Sequence, residues 1–245
     1  MGLIKIFCLA VATIVTVTMA FLSAGTAKAG IHESIGFCLK NETLLCAPAN
    51  LVALPAGGGL VLSAEAKNAE FTNAGTFASP EKCTSKTGLE TKEVMNNPIA
   101  GKVVELAFTE CKGPCKNVVS MNLSWPVELK MTIVSGTEDN LIIKEAKASV
   151  LFSNCTFGVS CEFGIQMGKS ITLTGVDNAE GAIFKASSVP LPWIAMGSEF
   201  LCGNTVTWTA EYKATGVDLK NAAGEIVTKH GKWWLTLLGE KNVKE

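Results

Sequence analysis

Apolar and polar residues alternate with a period of two over most of the chain. Val206, Trp208, Ala210, Tyr212 and Ala214 alternate with Thr205, Thr207, Thr209, Glu211, Lys213 and Thr215. Val127, Leu129, Met131 and Ile133 alternate with Glu128, Lys130 and Thr132. Val119, Met121, Leu123 and Trp125 carry the same parity upstream of Pro126, and Val104, Leu106 and Phe108 repeat the pattern earlier. Shorter runs occupy residues 60–66, 148–152, 171–174 and 182–186. Successive side chains of a strand point to opposite faces, so each run predicts a strand with one apolar and one wet face. Pro126 lacks an amide N–H and predicts a bend or a bulged edge. Turn-forming stretches separate the runs: Asn96-Asn97-Pro98, residues 136–140 and residues 177–181. Short strands at near-even spacing predict an all-β fold, an antiparallel β-sandwich or a barrel-like closure of the same strands.

The two ends break this pattern. Residues 1–29 read as a secretory signal peptide, a helical leader: Lys5 is the positive start, residues 6–22 are apolar, and Ala27-Lys28-Ala29 fits a small-x-small cleavage site. An uncleaved membrane anchor is the alternative. Residues 30–216 form the expected single β domain. Residues 217–245 read as a C-terminal extension, richer in charge and carrying Trp233-Trp234-Leu235. That patch is either docked on the domain or exposed to a partner.

Composition narrows the function classes. The chain is 48% hydrophobic and 18% charged, which excludes a disordered chain. Lysine supplies all 21 basic residues and the net charge is −1, so no guanidinium is present for phosphate or guanine contacts. This argues against nucleic acid as a partner. Removing the leader leaves eight of the nine cysteines. Outside the cytosol they read as a disulfide framework. Spacing suggests Cys38 with Cys46, Cys111 with Cys115 and Cys155 with Cys161, each across a turn, leaving Cys83 with Cys202 as a long bridge. A zinc site is disfavoured, because the spacings lack C-x-x-C and no histidine is near.

Several stretches together resemble a family of uncharacterised secreted bacterial proteins, mostly actinobacterial. They are Phe37-Cys38-Leu39-Lys40-Asn41-Glu42-Thr43-Leu44-Leu45-Cys46, Leu60-Val61-Leu62-Ser63-Ala64-Glu65, Lys82-Cys83-Thr84-Ser85 and Phe108-Thr109-Glu110-Cys111. Asn154-Cys155-Thr156-Phe157 and Trp208-Thr209-Ala210-Glu211-Tyr212 complete the set. The resemblance covers about residues 37–216 and implies export and an all-β fold; it carries no activity. The chain departs from it in the tail and in having Gly203 rather than proline after Cys202.

Candidate chemistry is sparse. His32 and His230 lie at opposite ends, and no G-x-S-x-G elbow occurs. Gly57-Gly58-Gly59 precedes a strand and reads as a hairpin or lead-in loop rather than a dinucleotide fingerprint. The resemblance implies a bacterial source, in which the sequons at Asn41, Asn122 and Asn154 would be incidental. No catalytic, metal or cofactor residue is singled out. The expected role is non-enzymatic binding at the cell surface or in the medium, with a cell-wall polymer or surface protein as partner. Membrane contact is expected only through an uncleaved leader. The alternative is a secreted glycoside hydrolase, which requires two glutamates roughly 5–10 Å apart beside exposed aromatics.

Overall fold

The computed structural model describes residues 34–41, 46–75, 78–133, 137–144, 148–165 and 169–238. Residues 1–29, the expected leader, and His32 lie outside them. Residues Glu33–Glu245 form one compact unit. In chain order the strands are β1 (Ser34–Cys38), β2 (Gly59–Thr72), β3 (Glu81–Thr91), β4 (Met95–Asn96) and β5 (Ile99–Lys112). Then come β6 (Asn117–Met121), β7 (Trp125–Ile133), β8 (Thr137–Lys144), β9 (Ser149–Ser153) and β10 (Cys161–Gly164). The last are β11 (Ser170–Asn178), β12 (Gly181–Ala195), β13 (Thr205–Lys220), β14 (Ile226–His230) and β15 (Trp234–Leu238). One short helix, α1 (Glu199–Cys202), precedes β13.

Eight of these strands close on themselves in the order β13-β2-β3-β5-β7-β8-β11-β12, and β12 pairs back to β13. The chain is therefore all-β, and of the two closures open to it the strands take the antiparallel barrel. A barrel leaves no strand of the ring with an unpaired edge.

Long strands carry the architecture beyond one ring. β2, β5, β12 and β13 run for 14 to 16 residues. Past the point where β7, β8 and β11 end, the far half of β12 pairs instead with β10, followed by β9 and β6. β6 lies beside the far half of β5 without a ladder, and Ser120 Oγ donates to the Leu106 carbonyl. A second, nearly closed ring thus stacks end to end on the first. A small sheet, β15-β1-β4, adds to the fold at the chain's two ends.

Most expected parities are observed. Leu60, Leu62, Ala64 and Ala66 are buried, as are Val127, Leu129 and Met131, and Val206, Trp208, Ala210, Tyr212 and Ala214. Two runs are corrected. Val118 points into the core while Val119 and Leu123 are exposed, because residues 117–121 belong to the second ring and 125–133 to the first. A register shift between Gly88 and Leu89 against β5 turns Val103 rather than Val104 inward. The boundary at residue 216 is also corrected: β13 runs through it to Lys220, and β14 and β15 complete the same unit.

All eight candidate cysteines are bonded, in the pairs Cys38–Cys46, Cys83–Cys111, Cys115–Cys155 and Cys161–Cys202. Only the first matches the pairing suggested by spacing. The others join segments distant in the chain rather than turn neighbours, and Cys161 at the start of β10 reaches Cys202 at the end of α1. Cys83 and Cys111 sit on paired strands β3 and β5, with Cα atoms 4.1 Å apart. Cys115 and Cys155 continue the β6–β9 register, in which Asn117 faces Ser153. Four disulfides place the folded chain in an oxidising environment.

Candidate functional site

Three regions could serve a ligand. The barrel interior is lined by Leu62, Leu89, Leu129, Phe184, Trp208 and Trp233 among others, and leaves a cavity of about 50 Å³ with a second of about 20 Å³ toward the far ring. Small-molecule sites are several hundred Å³. The interior is thus a filled core. Within it the Ser85 and Tyr212 hydroxyls hydrogen-bond at 2.9 Å, and burial pushes the Tyr212 phenol above its ordinary range. The Trp208 indole N–H is buried without an acceptor.

The tryptophans of the tail close this core. Trp233 is buried, stacks edge-on against Phe37 at 5.8 Å and donates its indole N–H to the Ser63 carbonyl. Trp234 packs on the Cys38–Cys46 disulfide with Leu51. Of the two readings of Trp233 and Trp234, docked on the domain or exposed to a partner, the structure takes the first: both are buried, and β15 pairs with β1 and draws them inward.

An open cleft of about 680 Å³ lies on the barrel wall where β2 and β13 lose register between Glu65 and Glu70. Glu65, Glu180 and Glu211 line it with Lys67, Lys213 and Lys232. Lys213 Nζ stands 2.9 Å from Glu180 and 3.9 Å from Glu211. The Lys213 ammonium holds the Glu180 carboxyl below its ordinary range. A glycosidase acid needs the opposite shift and an aromatic platform, and no aromatic residue lines this cleft. Among the described residues, no His, Cys, Asp or Glu group is placed to hold a metal ion. His230 ends β14, opposite Val217.

The third region is the loop end of the far ring. Residues 73–75 and 78–80, the Cys111–Cys115 loop, 154–160 and 196–204 meet there, and Cys83–Cys111, Cys115–Cys155 and Cys161–Cys202 stitch them to the strands. The Gly75 N–H donates to the Cys202 carbonyl, and the Lys116 N–H to that of Asn154. Gly197 sits at φ +64°, and a Cβ there would stand 2.6 Å from the Ser160 carbonyl, so only glycine lets the 154–160 and 196–204 loops touch. Beneath them Glu81 is fully buried. One carboxylate oxygen accepts the Cys115 N–H, the other has no partner, and burial raises its pKa.

This end displays aromatic surface. Phe200 is 92% exposed, Phe157 86% and Met196 52%. Phe157 holds φ 61° and Met196 φ 63°, a left-handed backbone that bulky side chains seldom adopt. Burying one such phenylalanine is worth about 1.5–3 kcal/mol. Sequence reading did not single out Phe157 as a surface residue, nor Phe200 at all. Neither lies in an alternating run, and exposure of a loop aromatic has no local signature. The buried Glu81 had one available sign, its parity with the inward-facing Cys83 and Ser85.

Among the described residues, no helix is long and apolar enough to cross a membrane. Compared with protein families, curated proteins and solved structures, the chain shows no match to any of them.

Proposed function

We propose that this chain is an exported, disulfide-stapled β-barrel protein that acts without catalysis, at the cell surface or in the medium, by binding through its loop end. The exposure of Phe200 and Phe157 on loops tied down by three disulfides carries the reading. Loops on a rigid scaffold are where proteins commonly place contact residues. The leader-like residues 1–29 and the resemblance to secreted actinobacterial proteins support export. The cleft on the barrel wall, with its glutamates bound to Lys213, supports a solvated surface rather than a hydrolytic centre.

Capture on whole cells and on wall fractions tests the proposal. Wild-type protein is expected to be retained, and the Phe157→Ser/Phe200→Ser variant to be lost from the pellet at unchanged Tm. A control variant on the barrel wall, Lys213→Ala, is expected to bind as wild type. Equal retention of all three proteins would remove the loop end from consideration.

A further inference from the structure

We propose that Glu81 is a proton-operated latch: neutral, it lets the Cys111–Cys115 loop lie shut, and ionised, it favours the open loop. The placement of the carboxyl is the first support. Glu81 has no exposed surface, and its Oε1 accepts the Cys115 N–H. Oε2 has no hydrogen-bond partner among the described residues. Oε2 and the Pro80 carbonyl oxygen both crowd the place that a Cβ on Gly113 would take. Two acceptor oxygens held together without a donor are reconciled by a proton on the carboxyl. An ionised carboxylate needs water at Oε2 instead, since a buried charge without partners is costly. Gly113 is exposed on its other side, so the loop backbone is what separates this carboxyl from solvent.

The surroundings supply no ion in place of that water. On the same strand Lys82 is exposed and stands 3.2 Å from Glu70 of β2, and Phe71 is the β2 residue opposite Glu81. Glu110 of β5 is exposed and accepts from the Thr84 hydroxyl at 3.1 Å. Lys112 and Lys116 at the ends of the loop, and Glu199 of α1, are exposed; residues 73–75, 78–80 and 154–160 carry no charge. None of these charges acts on the Glu81 carboxyl, and burial outweighs the Cys115 N–H to raise its pKa. Cys115 extends the effect. Its N–H reaches Glu81, its sulfur is bonded to Cys155, and the adjacent Lys116 N–H donates to the Asn154 carbonyl. A shift of the Cys111–Cys115 loop is thereby passed to the 154–160 loop.

Amide hydrogen exchange on the disulfide-bonded chain, corrected for the intrinsic pH dependence of exchange, tests the latch. Above about pH 4.3, the value for a glutamate in water, protection of the Cys115 amide should fall about tenfold per pH unit. The fall should level off once the buried carboxyl has ionised, and amides in the middle of β13 should keep their protection. Glu81→Gln keeps an acceptor for Cys115 and cannot ionise, so its Cys115 amide should stay protected throughout. The carbon-13 resonance of the Glu81 carboxyl gives a second reading that needs no variant. Its midpoint should lie above the value in water and coincide with the levelling. Protection of Cys115 that ignores pH, a Glu81 midpoint at the ordinary value, or a wild-type pH profile in Glu81→Gln would each overturn the latch. Exchange reads the loop and not capture, so the result stands apart from whether the loop end binds cells.

Discussion

A carboxyl group with no exposed surface and no cation beside it keeps its proton to higher pH than a carboxyl in water. Glu81 is in that position, with one N–H donor from Cys115 and no charged neighbour acting on it. The Cys111–Cys115 loop closes over it. A Cβ on Gly113 would lie 2.4 Å from the Glu81 carboxyl carbon and from the Pro80 carbonyl, so the glycine is what lets the loop shut. With the folded pKa raised, the added stability is complete below the unfolded value of about 4.3 and is lost as pH rises through the folded value. Glu81→Gln keeps the acceptor for Cys115 and cannot ionise. Thermal melts should show the variant gaining Tm over wild type toward neutral pH, with the gap closing in acid. A gap independent of pH would mean that ionisation of Glu81 has no role.

Among the elements, β13 shows how local pattern and pairing combine. Its inward set runs Val206, Trp208, Ala210, Tyr212, Ala214, then shifts at a register break between Ala214 and Gly216 to Val217 and Leu219. The break lets one strand serve the barrel and then the β14 hairpin. Across the same wall Glu90 binds Lys102 of β5 at 3.0 Å and Lys220 of β13 at 2.9 Å. Its hydrogen bond from Lys102, and then that from Lys220, hold its carboxyl below the ordinary range. β15 contributes differently, through the residue just before it. Trp233 fills the barrel between Phe37 and Phe184. Trp233→Ala should cost about 3–5 kcal/mol in urea denaturation, since so large a void cannot be refilled by its neighbours. A loss near zero would mean that the tail is dispensable to the core.

At the scale of the whole molecule the disulfides are unevenly placed. Three lie at the loop end of the far ring, and Cys38–Cys46 ties the end of β1 to the loop beyond it. The far ring also lacks a ladder between β5 and β6, so covalent links reinforce the part with the weakest hydrogen-bond closure. In the chain-entropy picture, a bridge spanning 41 residues contributes about 4 kcal/mol and one spanning 8 about 2.5 kcal/mol. Replacing Cys161 and Cys202 together by alanine should therefore lower the unfolding free energy more than replacing Cys38 and Cys46, measured without reductant. The reverse order would show that loop closure does not govern their contributions.

Alternation at i and i+2 is a local property of a strand, so the sequence by itself determined the all-β class, most inward-facing sets and the use of eight cysteines as a framework. It also determined the lead-in turn at Gly57-Gly58-Gly59, where the Gly58 N–H donates to the Pro55 carbonyl just before β2 begins. Tertiary structure decided whatever depends on residues far apart in the chain. Closure came from β12 pairing with β13. Cys115 found Cys155 because β6 and β9 share a register, and that partner, 40 residues away, is invisible to spacing within a turn. Trp233 was drawn inward by β1, at the opposite end of the chain. Phe157 and Phe200 were left exposed, which no local pattern records. Burial depends on what arrives from elsewhere, and a period of two records only which way each side chain points.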